Sequence, residues 1–494
     1  MKFQASQLPS RKPNYSPSPR NSSSKFAPFI ALALLLTIPL YNYPPFDIRA
    51  QEHPSLSQTL PPLLLQHNNT NLDDLPCSSP PCNVEGGGGG VMLPAAGKLI
   101  RLGKGSRKRK PARPREYLTR VSSTAHNDEE RRIIRTKVLE DEKCDLFTGE
   151  WVPNPQGPYY TNATCDAIQE HQNCMKYGRP DTGFLKWRWK PDGCDLPIFD
   201  PRRFLELVQG KSLAFVGDSV ARNHMQSLIC LLSRVIHPVD VSKPTDENRL
   251  YQYTDYNFNL SIISSPYLIR TQKTDPNDFT RPFNLFLDEF DQTWTSKIHS
   301  FDYIIISAGH WFFRPTYFYL NRTLAGCLYC PEPNVTHLAS SFSARWAFQT
   351  AFRAINAARN FNGVTFLRTF APSHFEGGPW DKGGDCVRTR PFKRNETVLE
   401  DYSLEMYSIQ LEELRTAQEA GMRTGRKFRL FDATKPMLLR ADGHPSKYGH
   451  RPVANQTIPN DCVHWCLPGP IDAWNDLLQE LLKREVGSKS KSFT

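Results

Sequence analysis

The chain has 494 residues, a hydrophobic fraction of 39 % with 28 glycines besides, and a formal net charge of +11. That composition excludes a wholly disordered, collagen-like or polytopic membrane protein. The length exceeds one ordinary domain, and the 41 prolines stand above the usual ~5 % share, an excess that sits mostly in the first 115 residues.

Residues 1–25 carry Lys2, Arg11, Lys12, Arg20 and Lys25 and no acid. Residues 26–43, FAPFIALALLLTIPLYNY, carry no charge at all. A basic flank before a short apolar block favours a single-pass type II anchor with its N-terminus in the cytosol. A cleaved signal peptide competes, but the basic flank is long and no small-x-small site follows Tyr43. So short a span suits the thin membranes of the early secretory route.

Residues 44–140 read as a disordered stem, with proline pairs, the Gly86–Gly90 run and a basic run. From Lys98 to Arg115 there are nine Lys or Arg and no acid. Such a run is a solvated tail, and the rest of the chain is nearly balanced, so nucleic acid is not an expected partner. The folded domain is placed at 141–486 and a polar tail at 487–494. Within the domain Ser212–Gly217 is a buried strand, and Val220–Ser233 a helix with Met225, Leu228, Ile229 and Leu232 on one face. Tyr303–Gly309 is a second strand and Ser341–Asn360 a helix. Val364–Phe370 is a third strand and Leu399–Gly421 a long helix. Phe428–Ala433 is a fourth strand, and Ile471–Val486 closes the domain as a helix. Strands alternating with helices predict an α/β fold with a mostly parallel sheet covered on both faces.

The twelve cysteines lie beyond the apolar block and read as disulfides in an oxidising lumen. Cys77 and Cys82 either close a small loop or do nothing. Cys327 and Cys330 fit a tight disulfide or a redox pair. Asn-x-Ser/Thr sequons at Asn68, Asn162, Asn259, Asn321, Asn334, Asn395 and Asn455 fit the same route as glycosylation sites.

Two places carry chemistry. Gly217-Asp218-Ser219 sits where a strand turns into a helix, which exposes a serine hydroxyl at the sheet's carboxyl edge. The backbone N–H groups at that helix start favour a negative oxygen. Asp461 and His464, three apart before the last helix, lie on one turn, so that the carboxylate orients the imidazole. Serine needs such a base to become a nucleophile.

The resemblance extends well beyond these pairs. CDLFTGEWVPNP (Cys144–Pro155), KYGRPDTGFLKWRWKPDGCDLPIFDP (Lys176–Pro201), AFVGDSVARNHMQSLICLL (Ala214–Leu232), DGHPSKYG (Asp442–Gly449) and DCVHWCLPGPIDAWNDLL (Asp461–Leu478) together resemble the plant trichome birefringence-like polysaccharide O-acetyltransferases. These belong to the SGNH, or GDSL, hydrolase-like superfamily. The resemblance implies a three-layer α/β/α domain stapled by disulfides, behind an N-terminal transmembrane anchor and a stem, in the Golgi membrane. By resemblance Ser219 accepts the acetyl group, His464 is the base and Asp461 orients it. Ser219 N–H, Gly309, Asn223 and Arg222 are implied for the oxyanion hole or pocket. Gly217 and Asp218 belong to the signature. The implied pairs are Cys144–Cys194, Cys165–Cys230, Cys174–Cys466 and Cys386–Cys462.

The implied reaction is acetyl transfer through an acetyl-serine to a hemicellulose hydroxyl. GCLYC, PEPNVT and SAGHWFFRP look most like the branch acting on xyloglucan side-chain sugars, with mannan or glucomannan second. No cofactor or metal is expected to be bound. An acetyl donor is required, acetyl-CoA-derived or otherwise, and a membrane partner that carries acetyl inward is the family expectation. Trp187, Trp189, Trp311 and Trp380 are candidates for stacking on sugars. A lumenal acetyl esterase with the same three residues, a non-catalytic wall-polymer binder, and a zinc site at Cys462, His464 and Cys466 with His444 and His450 are the competing readings.

Overall fold

A computed structural model describes residues 144–491, apart from 276, 279, 280 and 452–458. The expected cytosolic tail, anchor and stem lie outside them, with Asn68, Cys77, Cys82 and the basic run, and so does Asn455. Among the described residues no helix is long and apolar enough to cross a membrane.

Strands β1 (Gly149–Pro153) and β2 (Trp187–Pro191) pair antiparallel. Helix α1 (Pro201–Leu207) starts at Asp200, whose side chain accepts from the N–H groups of Arg202 and Arg203. Strand β3 (Ser212–Gly217) runs straight into helix α2 (Ser219–Leu232). The chain continues through β4 (Val239–Asp240), β5 (Arg249–Tyr253), β6 (Phe258–Ser264), β7 (Ile269–Lys273), β8 (Phe283–Phe290) and the short α3 (Gln292–Thr295). Next come β9 (Tyr303–Ser307), β10 (Thr316–Leu320), β11 (Thr323–Leu328) and α4 (Ser340–Ala357). Strand β12 (Val364–Arg368), α5 (Asp401–Thr424), β13 (Lys427–Phe431), α6 (Thr434–Leu438) and α7 (Ala473–Lys491) complete it. Helix α7 therefore continues past the expected boundary at 486.

The main sheet has seven strands in the order β13-β12-β9-β3-β6-β5-β4. From β13 to β6 the neighbours are parallel, and β5 and β4 are antiparallel. Strand alternation splits its side chains between two cores. Leu213 and Phe215 face a core built from α1, α2 and α7, with Phe204, Leu228, Trp474 and Leu478. Ala214 and Val216 face a core built from α4 and α5, with Phe348, Phe352, Ile409 and Leu414. Helices thus cover both faces.

A second sheet, β11-β10-β8-β7, was not legible as strands. Ile269–Lys273 has one buried residue at its start and three exposed residues after it. It therefore carries no apolar period to read.

The central strand β3 has neighbours reached by connections running in opposite directions, to β6 on one side and β9 on the other. In parallel sheets such a point opens a crevice at the strands' carboxyl ends, and Ser219 stands there. Gly217 makes the turn possible. A Cβ on it would meet the Ser307 carbonyl oxygen at 1.7 Å. Gly217→Ala is expected to destabilise the domain by about 3 kcal/mol or more, since overpacking against backbone cannot relax. Urea unfolding of the purified chain followed by tryptophan fluorescence measures it.

Candidate active site

Asp218 is the N-cap of α2. Its Oδ1 accepts from the N–H groups of Val220 and Ala221, at 3.0 and 3.4 Å. Its Oδ2 accepts from Gly309 and His310, at 3.1 and 3.3 Å. One buried carboxylate thus joins the helix start to the loop after β9. Burial opposes its charge, but His310 and Arg368 outweigh that and hold the carboxyl below its usual value. The Ser219 N–H, at the first position of α2, has no backbone or side-chain acceptor among the described residues.

Ser219 Oγ donates to His464 Nε2 at 2.7 Å, and His464 Nδ1–H donates to Asp461 Oδ2 at 2.9 Å. The His464 and Asp461 side chains are 20 % and 22 % exposed, enough for a substrate to reach. The Asp461–His464 segment is not helical. Asp461 Oδ1 accepts from the N–H groups of Val463 and His464 and bends the chain back on itself. The Asp461 backbone is pinned in turn by Ser446, in both directions, at 2.8 and 3.1 Å.

Burial disfavours the Asp461 charge, but the charge and hydrogen bonds of His464 outweigh it and hold the carboxyl far below its usual range. Burial by itself would lower His464. The Asp461 carboxylate, through charge and hydrogen bond, overcomes that and raises it.

The other expected pocket residues divide. Gly309 directs its N–H at Asp218, so it is no free oxyanion donor. Asn223 is fully buried. Its amide accepts from Trp465 N at 2.8 Å and donates to Trp465 O at 3.3 Å. It is a clamp on the His464 loop, not a pocket wall. Arg222 follows Ser219 by three on α2, on the same helix face, and is half-buried. Its guanidinium has no hydrogen-bond or ion-pair partner among the described residues, and its charge acts on His464 and His171.

His171 is a member that the motifs did not name. Its ring meets the His464 ring edge-on, with centroids 4.9 Å apart. Burial, reinforced by the charge of His464, pushes it down to about 4, so it stands neutral beside His464. The disulfide Cys174–Cys466 and the bond from Leu467 N to Gln172 O, 2.9 Å, bring it there. The implied Cys174–Cys466 pair was the available signal, since His171 and His464 sit three and two residues before those cysteines.

The other bridges are Cys144–Cys194, Cys165–Cys230, Cys386–Cys462 and Cys327–Cys330. Cys462 and Cys466 are therefore not thiolates, and the competing zinc reading fails at its ligands. Trp189 is buried and donates to Leu146 O, which removes it as a sugar platform. Trp187 and Trp311 are half-buried in the two cores. Trp380 is 51 % exposed. Its loop closes through the Glu376–Asp385 bridge and is tied beside Asp461 by Cys386–Cys462 and by Asn460. Asn162, Asn321, Asn334 and Asn395 are exposed, whereas Asn259 is half-buried within β6.

Residues 196–481 match the GDSL/SGNH-like acyl-esterase family found in Pmr5 and Cas1p, and residues 142–195 match the PMR5 N-terminal domain. Protein trichome birefringence-like 19 of Arabidopsis thaliana is 55 % identical over 70 % of this chain and 83 % of its own length. Xyloglucan O-acetyltransferase 4 of Populus trichocarpa is 44 % identical over 73 % of this chain and 86 % of its own. Xyloglucan O-acetyltransferase 2 of Arabidopsis thaliana is 43 % identical over 70 % and 84 %.

A histidine acting as base must be neutral, so activity falls as pH drops through its pKa. The raised value of His464 places that acid limb above pH ~6.5, the ordinary imidazole value. Asp461→Asn leaves burial as the dominant influence and moves the limb to lower pH. It also lowers kcat by about 10⁴, because the imidazole loses its tautomer partner. The pH profile of aryl-acetate cleavage by both forms measures both effects.

Proposed function

The chain belongs to the GDSL/SGNH-like acyl-esterase family found in Pmr5 and Cas1p, among the trichome birefringence-like proteins, and on that premise we propose that it acetylates xyloglucan side-chain sugars through an acetyl-serine at Ser219. It is an acetyltransferase with a polysaccharide acceptor, as the enzymes resembling it are named. The observation that carries the mechanism is the unbroken chain Ser219–His464–Asp461.

In the first half, Ser219 Oγ attacks the acetyl carbonyl while its proton passes to His464 Nε2. The tetrahedral oxygen carries the negative charge, and the Ser219 N–H and the unpartnered Arg222 guanidinium stabilise it. His464 then protonates the donor's leaving group as its bond to the acetyl carbon breaks. In the second half, a sugar hydroxyl gives its proton to His464 and attacks the acetyl-serine, and Ser219 leaves with that proton returned. Water in the acceptor's place makes the enzyme an esterase, so the glycan must win by being held in position. Exposed Trp380, in the loop beside Asp461, serves as a stacking face for the acceptor.

The domain works in the Golgi lumen behind a type II anchor at residues 26–43, receiving acetyl from a membrane partner. The disulfides and the exposed sequons support that reading.

Acetyl transfer by the full chain, from an aryl acetate onto deacetylated xyloglucan, glucomannan, xylan and homogalacturonan oligosaccharides, tests it by mass spectrometry. The expected result is one acetyl mass increment on xyloglucan, abolished by Ser219→Ala. Acetyl released only to water, equally with every glycan, overturns transfer and leaves an esterase. Product on glucomannan alone reassigns the acceptor. Trp380→Ala is expected to raise KM for the glycan about three- to tenfold, matching the ~1 kcal/mol of one stacked ring. Aryl-acetate cleavage without glycan stays at the parent rate.

A further inference from the structure

The DGHP segment plays no part in the reaction described above. Its His444 is fully buried and leads directly back to the base. His444 Nδ1 lies 2.7 Å from the carbonyl oxygen of His464. His444 Nε2 lies 2.8 Å from Nδ1 of His374, and His374 Nε2 lies 3.0 Å from the carbonyl oxygen of Leu438. Two imidazoles thus bridge two carbonyls through three contacts.

The proton count is decisive. A neutral imidazole has one N–H and one lone pair. Each carbonyl can only accept, so His444 Nδ1 and His374 Nε2 must both be protonated. That uses both N–H groups of a neutral pair. The remaining nitrogens would then face each other at 2.8 Å, lone pair against lone pair. One additional proton between them satisfies all three contacts, and the pair carries a single positive charge.

We propose that His374 and His444 are positioning residues for acetyl transfer, sharing one proton that holds the His464 main chain, and with it the base, in its working place. This rests on the catalytic reading of Ser219 and His464 given above.

The surroundings bear on the charge from every side. Burial opposes it and, ring by ring, pushes His374 down to about 4 and His444 further below its usual value. The carboxylates of Glu376 and Asp461 favour it, and Arg388 and Arg179 oppose it. Trp465 stacks on the His444 ring with centroids 4.0 Å apart, placing a π-face against the cation. Rings in contact at 2.8 Å titrate as a unit, and three contacts that a neutral pair cannot fill favour the shared proton over the single-ring tendency. Loss of that proton at rising pH leaves two lone pairs facing each other at 2.8 Å, which drives the His444 ring off His374 and shifts with it the His464 carbonyl that it holds. Small misplacements of a catalytic group cost up to about 100-fold in rate.

The test is the pH profile of kcat for aryl-acetate cleavage by the full chain and three variants. The parent is expected to show the acid limb of His464 and a separate alkaline limb from the pair. His374→Asn replaces the imidazole with an amide whose N–H donates to neutral His444. It should keep kcat within about threefold of the parent, well below that misplacement cost, and lose the alkaline limb. His444→Phe leaves the His464 carbonyl unpaired and should lower kcat by about 10- to 100-fold with KM little changed. Circular dichroism identifies a variant that has simply failed to fold, in which case His374→Asn still decides. An alkaline limb absent from the parent, or kept in His374→Asn, overturns the proposal, as does full kcat in a folded His444→Phe. Ser219→Ala separates the premises: if it remains active, the catalytic reading has failed. If it is inactive while both histidine variants behave as the parent, only the shared proton has failed.

Discussion

The working distance between Ser219 and His464 depends on one buried amide. Asn223 lies one helical turn beyond the serine, and Trp465 directly follows the histidine. The Asn223 side chain takes both backbone groups of Trp465, so helix α2 and the base loop are joined by two hydrogen bonds beside the Ser–His contact itself. A side-chain amide is suited to this, with a donor and an acceptor in one rigid plane. In a buried setting either bond left unmade would expose a peptide group to desolvation without compensation. The cost of losing the clamp therefore falls on the same loop that carries His464.

Asp218 does comparable work on the other side of the serine. Its two oxygens receive four backbone N–H groups, which is what makes a fully buried carboxylate tolerable. The opposing charge comes from Arg368, itself buried, stacked on Trp474 and bonded to Ser307 and Thr369. Burial lowers Arg368 to about 10 and Asp218 counteracts it. The site's fixed charges are thus placed by the strands β3, β9 and β12 before any substrate arrives. The same arrangement explains why Gly309 has no hydrogen bond left for an oxyanion.

Four of the five parallel strands of the main sheet, and the four longest helices, were legible because they are apolar runs or helical-period faces, whereas β6 and the short α1 were not read. Ser212–Gly217 and Tyr303–Ser307 are buried almost throughout, and burial on both faces makes their centres continuous apolar runs. The second sheet was not legible because its edge strands show no apolar alternation and because Thr316–Leu320 reads equally as loop. The end of α7 was misplaced because a polar helix extending beyond its core contacts shows no apolar stripe. Roles for Asn223 and Gly309 were misread because a polar residue beside a nucleophile looks the same in sequence whether it faces the pocket or the backbone behind it.

The sequence by itself located the candidate reacting groups: a serine at a strand-to-helix turn, a DxxH before the last helix, and cysteines enough to staple the loops between. These are local signals, set by turn chemistry and residue spacing, and they survive without knowledge of the fold. Only the tertiary structure decided which side chains stand behind the reacting groups. His171 reaches His464 across 293 residues of chain, and His374 reaches it through His444. No local period records such contacts, because they arise where separate loops are brought to the carboxyl ends of a parallel sheet and locked there by disulfides and buried hydrogen bonds.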